Sequence, residues 1–180
     1  MPRASGSEPL GSKSSECRSS EGSGSSKAGG SSSNAKTEAK QMELRVAIYR
    51  PEEGTYYHWA FIAYIMDTIG FHLFEVISQN WEPFRYTYRQ TNPESSTRHQ
   101  VSIPLATVSQ DWLGTVTSTA QGIPLPRERN AWNCQDYIME LWKGMYQNGV
   151  VGHDIYTEGC SRLMPYFGPE FGSGANGDAK

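Results

Sequence analysis

The sequence predicts an α+β domain in which a small antiparallel sheet of about four to five strands packs against a helix that carries a cysteine. Three observations predict it: runs with a period of two between residues 44 and 107, turn residues between those runs, and a 3.6-residue apolar stripe that begins after Asn133. The chain of 180 residues has room for one such domain and tails, since a single core uses roughly 100 to 150 residues.

The first strand is expected from Leu44, where Leu44-Arg45-Val46-Ala47-Ile48-Tyr49 alternates until Pro51 stops it. Thr55 to Met66 is dense in aromatic and β-branched side chains, which favours a strand covered on both faces. Asp67-Thr68-Ile69-Gly70 supplies a turn before Phe71 to Ile77, so the pair reads as a hairpin. Phe84, Tyr86 and Tyr88 alternate with Arg85, Thr87 and Arg89, which fits a half-buried strand better than a ligand-stacking surface. After the loop Asn92 to Ser96, Gln100 to Thr107 makes another strand, and Pro104 within it demands an edge or a bulge.

Ser109 is placed to cap a short helix with Asp111 in its first turn, and Pro124 and Pro126 end that region. The clearest helix starts after Asn133, a strong cap, with Asp136 three residues on and Gly149 as its stop. Cys134, Ile138, Leu141 and Met145 fall on one face of it. Asp136 and Glu140 read as a solvated acidic face rather than an acid/base pair. Beyond Arg162 little pattern remains, so the domain is drawn at 43–165, with a tail at 1–42 and a flexible end at 166–180.

Composition narrows the function classes. Nineteen of the first forty residues are Ser or Gly, too few apolar groups to offset the entropy of ordering, so that tail is expected to be disordered. Its thirteen serines are possible phosphate acceptors. It carries six Lys and Arg against four Asp and Glu, which leaves ten against fifteen for the rest. An acidic folded region argues against nucleic acid as a partner. No stretch approaches the roughly 20 apolar residues of a membrane span, and no secretory signal is evident, so a cytoplasmic location is expected. Cys17, Cys134 and Cys160 are too few and too scattered for a disulfide framework. His58, His72, His99 and His153 are separated in sequence and no CxxC occurs, so neither a metal nor a cofactor is expected unless the fold gathers ligands.

Chemistry points to Cys134. A thiolate is the reactive form of cysteine, and the free N–H groups and dipole of a first helical turn stabilise it. Such a thiolate needs a proton acceptor, and imidazole titrates nearest neutrality. His58 leads a strand dense in apolar residues, where an unpaired imidazole is costly, so a polar partner is expected. The bland alternative is a buried structural cysteine on the apolar face of its helix, and spacing alone does not separate the two.

The pattern Tyr57-His58-Trp59-Ala60 with His72-Leu73 fourteen residues beyond His58 resembles the H-W-A … H-L pattern of the lecithin retinol acyltransferase-like proteins. Asn133-Cys134-Gln135-Asp136 is similar to their N-C-E-H segment. The whole, including Trp132-Asn133-Cys134-Gln135-Asp136-Tyr137, looks still more like fungal proteins with an H-W-A … W-N-C-Q-D-W/Y signature. This resemblance covers roughly Leu44 to Val151 and implies the circularly permuted papain-like (NlpC-type) fold, in which the histidines precede the cysteine. It further implies Cys134 as nucleophile, His58 as general base and His72 as the third polar residue that orients the imidazole. The backbone N–H of Cys134, with Gln135 as a further donor, would then meet the oxyanion.

The function these residues suggest is a cysteine-dependent hydrolase or acyltransferase that acts on an amide or ester through an acyl-thioester on Cys134. The alternative is a non-catalytic binding or interaction module that retains the fold. Gln135-Asp136 replaces the Glu-His of the acyltransferase segment, so lipid specificity does not follow, and the substrate class stays open among small molecules, lipids and peptides.

Overall fold

Alternation along residues 41–49 sends Met42, Leu44, Val46 and Ile48 to one side of a strand and Ala47 and Tyr49 to the other, and all six are buried. A segment covered on both faces belongs inside a sheet, and this one does. The computed structural model describes residues 40–51, 56–78, 82–126 and 132–168. Cys17, most of the Ser/Gly-rich tail and the end beyond Gly168 lie outside them.

Five strands, β1 (Gln41–Tyr49), β2 (His58–Ile65), β3 (Gly70–Ile77), β4 (Arg85–Arg89) and β5 (His99–Ser109), form one antiparallel sheet in the order β4-β3-β2-β1-β5. Three helices follow, α1 (Leu113–Gly122), α2 (Cys134–Gln147) and α3 (His153–Leu163). The architecture is α+β, with strands first and helices after. Pro104 uses both of the devices open to it: β5 is an edge strand, and the pairing with β1 shifts register between Leu44 and Arg45, opposite the proline.

The main core joins one sheet face to the helices. Met42, Val46, Trp59, Phe61 and Phe74 meet Val116 of α1, Ile138, Leu141 and Trp142 of α2, and Leu163 of α3. Phe84 and Tyr86 pack against this core half-buried, while Tyr88 stays exposed. On the opposite face Ala47, Tyr49, Ala60, Ile62 and Leu73 form a smaller cluster. Arg98 donates to the carbonyl of Arg50 from Nε (2.9 Å) and Nη2 (2.7 Å), fastening the loop after β4 to the end of β1.

The ends of α2 follow local chemistry. Asn133 Oδ1 accepts from Gln135 N–H and Asp136 Oδ2 accepts from Asn133 N–H, both at 2.8 Å, a reciprocal capping box. At the far end Gly149 takes φ of 73°, and the N–H of Val150 reaches the Met145 carbonyl at 2.9 Å, the pattern of a Schellman stop.

Helix α3 has no counterpart in the sequence expectation. Only Gly159 and Leu163 of its eleven residues are buried, and no side chain caps its start, so it carries neither a full stripe nor a start signal. Gly159 nonetheless fixes how closely it docks, since a Cβ there would lie 2.6 Å from the Trp142 ring. The chain also stays tied past the expected boundary at 165: Phe167 meets Trp59 edge-on at 6.1 Å, and Gly168 is hydrogen-bonded to Gln135. Gly159→Ala should destabilise the domain by about 1–3 kcal/mol, as overpacking of a tight contact does, measured by chemical denaturation.

Candidate active site

Cys134 is the first residue of α2, and its backbone N–H is among those that have no acceptor within the helix. The side chain is 9% exposed, and Sγ lies 3.9 Å from the carbonyl oxygen of Tyr57, the residue before β2. His58, the first residue of β2, therefore sits where α2 begins. Its imidazole is close enough to hydrogen-bond the Cys134 thiol. Its Nε2 is 2.7 Å from Glu75 Oε2, which leaves Nδ1 as the ring nitrogen available to sulfur.

Glu75 is 2% exposed, and an isolated buried carboxylate would be costly. It is met by His58, by the guanidinium of Arg89 on β4, and by Thr87 Oγ1 at 3.3 Å. Burial alone would raise its pKa; the hydrogen bond and charge of His58, with those of Arg89, hold it below the ordinary carboxylate range. Burial alone would lower the His58 pKa, but its hydrogen bonds to Cys134 and Glu75, and the charges on both, push it up to about 9. The Tyr49 ring leans on the imidazole at 5.9 Å. A cleft of about 1400 Å³ opens over the three groups, with Tyr49, Phe84 and Trp132 in its walls.

His72 does not join this cluster. The register pairs Phe61 with Phe74 and Ala63 with His72, so His72 shares the helix-side face, while Glu75 lies on the opposite face with His58. Equal parity along the chain does not mean a common face when paired residue numbers sum to an odd value. Ala63 is also five residues from His58, roughly 16 Å along the strand at about 3.3 Å per residue. His72 Nδ1 instead pairs with the Tyr88 hydroxyl at 2.6 Å. The group that orients His58 is thus Glu75, and its signal was a lone acid in the apolar run Phe71-His72-Leu73-Phe74-Glu75-Val76-Ile77.

One further expectation changes. Gln135 is wholly buried and spends its amide on backbone groups of Tyr57 and Gly168, so it is not aimed at an oxyanion. Asp136 and Glu140 are no acid/base pair, as expected: half-buried Asp136 closes the capping box, and exposed Glu140 accepts from the indole N–H of Trp132 through Oε1 at 2.9 Å. The four histidines also stay apart, with His99 on Ser102 and His153 beside Asp154. Among the described residues no cluster of three or more His, Cys, Asp or Glu has the arrangement to hold a metal ion, and no helix is long and apolar enough to cross a membrane.

The chain belongs to the family of unknown function (DUF6540), which it matches over residues 44–152, a span that includes His58, Glu75 and Cys134. No curated protein and no solved structure matches it.

The raised pKa of His58 links proton binding to folding. Because the folded value lies above the 6.5 of a free imidazole, the stability this group contributes is complete below about pH 6.5 and is lost as the pH rises through about 9. Glu75→Gln removes one of the charges that raise it. The His58 pKa should then fall below about 9, seen in an NMR titration of the ring, and the alkaline loss of stability, which still begins near the free imidazole value of 6.5, should be smaller and complete at a lower pH.

Proposed function

We propose that this protein is a cysteine-dependent hydrolase or acyltransferase with the circularly permuted papain-like architecture, acting on an amide or ester. The observation that carries the proposal is an imidazole whose Nε2 meets a buried carboxylate at 2.7 Å and which lies beside a thiol at a helix start, beneath a cleft. The order His58, Glu75, Cys134, the antiparallel sheet and the cysteine on the first turn of α2 all accord with that architecture.

Each step has a group to perform it. The sulfur gives its proton to Nδ1 of His58 and attacks the carbonyl carbon, forming the C–S bond while the carbonyl oxygen takes the negative charge. The N–H of Cys134, without an acceptor inside the helix, serves as a donor to that oxygen. The imidazolium then passes its proton to the leaving nitrogen or oxygen as the C–N or C–O bond breaks, leaving an acyl-thioester. Water or an acceptor hydroxyl or amine next gives its proton to His58 and attacks the thioester. The product leaves, and the proton returns to sulfur. Throughout, Glu75 keeps Nε2 hydrogen-bonded, which fixes the tautomer and the plane of the ring.

One observation favours the second reading, a non-catalytic binding module: Cys134 is only 9% exposed. Labelling distinguishes the two. In the full chain with Cys17→Ser and Cys160→Ser, iodoacetamide at pH 7 should modify Cys134, and His58→Ala should slow the reaction at least about tenfold. Equal rates in the presence and absence of His58 would defeat the enzyme reading, and a Cys134 that resists alkylation in the native protein would support the binding module.

A further inference from the structure

Gln135 is a wholly buried polar side chain, and each of its hydrogen bonds goes to backbone. Its Oε1 accepts from Gly168 N–H at 2.8 Å; its Nε2 donates to the Tyr57 carbonyl at 3.2 Å and to the Gly168 carbonyl at 3.3 Å. The Gly168 N–H also settles which way the amide points, because it requires the oxygen and so turns Nε2 towards Tyr57. Gln135 follows Cys134 directly, and Tyr57 directly precedes His58.

We propose that Gln135 is a positioning residue, whose amide ties the backbone at His58 to the backbone at Cys134 and so sets the distance between imidazole and sulfur. The proposal rests on the reading of those two residues as an activated pair. Nothing else in the covalent chain links them closely: 76 positions separate them, and they come from different elements, β2 and α2. The tie is placed where it has greatest effect, since the Cys134 sulfur itself lies 3.9 Å from the same Tyr57 carbonyl. Any slip of β2 along α2 must stretch the amide–carbonyl bond as it separates the reacting groups.

Side-chain chemistry explains why a glutamine serves here. The site asks for one donor group facing two carbonyls and one acceptor facing an N–H, without a net charge in a buried place, and a primary amide meets all three conditions. Asparagine is one methylene shorter and methionine offers no polar contacts. The bonds to Gly168 anchor the far side of the amide, and Phe167 against Trp59 holds that strand of chain to β2 beside His58. The chain at Tyr57 and at Gly168 thus meets on one side chain of α2, with Phe167 against Trp59 next to it. Displacement of a reacting group by about 1 Å can cost about 10²-fold in rate, so a tie of this kind has a measurable consequence.

The test is the rate of Cys134 alkylation by iodoacetamide between pH 6 and 10 in the full chain with Cys17→Ser and Cys160→Ser. Gln135→Met, which keeps the volume and removes the tie, should slow labelling at pH 7 about tenfold and move the pH profile towards that of His58→Ala. In the His58→Ala background the same change should have no further effect, because the coupling acts through the imidazole. Gln135→Glu is the second variant, keeping an oxygen for Gly168 N–H while losing the donor to Tyr57. The positioning role is overturned if a folded variant labels at the parent rate, or if labelling slows equally with and without His58. Failure of both variants to fold would also overturn it, leaving a purely structural role. Equal labelling of the parent and His58→Ala would overturn the activated pair itself, and the tie with it, whereas a His58 effect without a Gln135 effect removes the tie alone.

Discussion

A carboxylate almost wholly removed from water must find its countercharge within the fold, and Glu75 finds two. His58 comes from β2, Glu75 from β3 and Arg89 from β4, three neighbouring strands of one sheet. The sheet register therefore places the charges before any side chain chooses a rotamer, and the hydrogen bonds then select the rotamers. Losing either partner would leave charge stranded in a poorly solvated place, which makes the cluster cooperative rather than a set of separable contacts. The orientation of the imidazole towards Cys134 is a product of that requirement: with Nε2 committed to Glu75, only Nδ1 can face the sulfur.

The same cluster illustrates what was legible in the sequence. The sheet and α2 were legible because their signals are local: alternation around Leu44, the turn before Gly70, Asn133 as cap and Gly149 as stop. Pro104 asks for an edge or a bulge, and the fold supplies both. Glu75 is not legible in this way because its meaning is non-local; an acid in an apolar run signals a partner but does not name it. His72 is implied instead by the resemblance to the H-W-A … H-L pattern, but residues 58 and 72 fall on opposite faces of a hairpin whose paired residue numbers sum to an odd value. Helix α3 stayed hidden for a different reason, since a helix that buries two of eleven residues leaves almost no periodic trace.

The segment Trp132 to Tyr137 shows how closely fold and site are interwoven. Trp132 is fastened to Glu140 and packs edge-on against Phe84 at 5.2 Å. Asn133 and Asp136 exchange the two bonds of the capping box, Gln135 clasps Tyr57 and Gly168, and the Tyr137 hydroxyl donates to the Ala120 carbonyl at 3.0 Å. Each of these side chains answers a need of folding, such as a free N–H, an unmet carbonyl or an aromatic wall. A sequence signature over this stretch is therefore in large part a signature of architecture.

Subtracting those needs isolates Cys134. Apart from the His58 imidazole, its sulfur meets the Tyr57 carbonyl at 3.9 Å, a separation at which a thiol contributes little, and the volume it fills in the core could be filled by any small side chain. Folding thus gives reasons for an asparagine, a glutamine and an aspartate at these positions and none for a cysteine between the first two. His58, the first residue of β2, does meet a need of the fold as a partner of Glu75, but any second cation would meet that need, and the residue present is an imidazole beside the sulfur. The two residues with the weakest structural justification are the two that touch each other, and acyl transfer is a chemistry that needs them to do so.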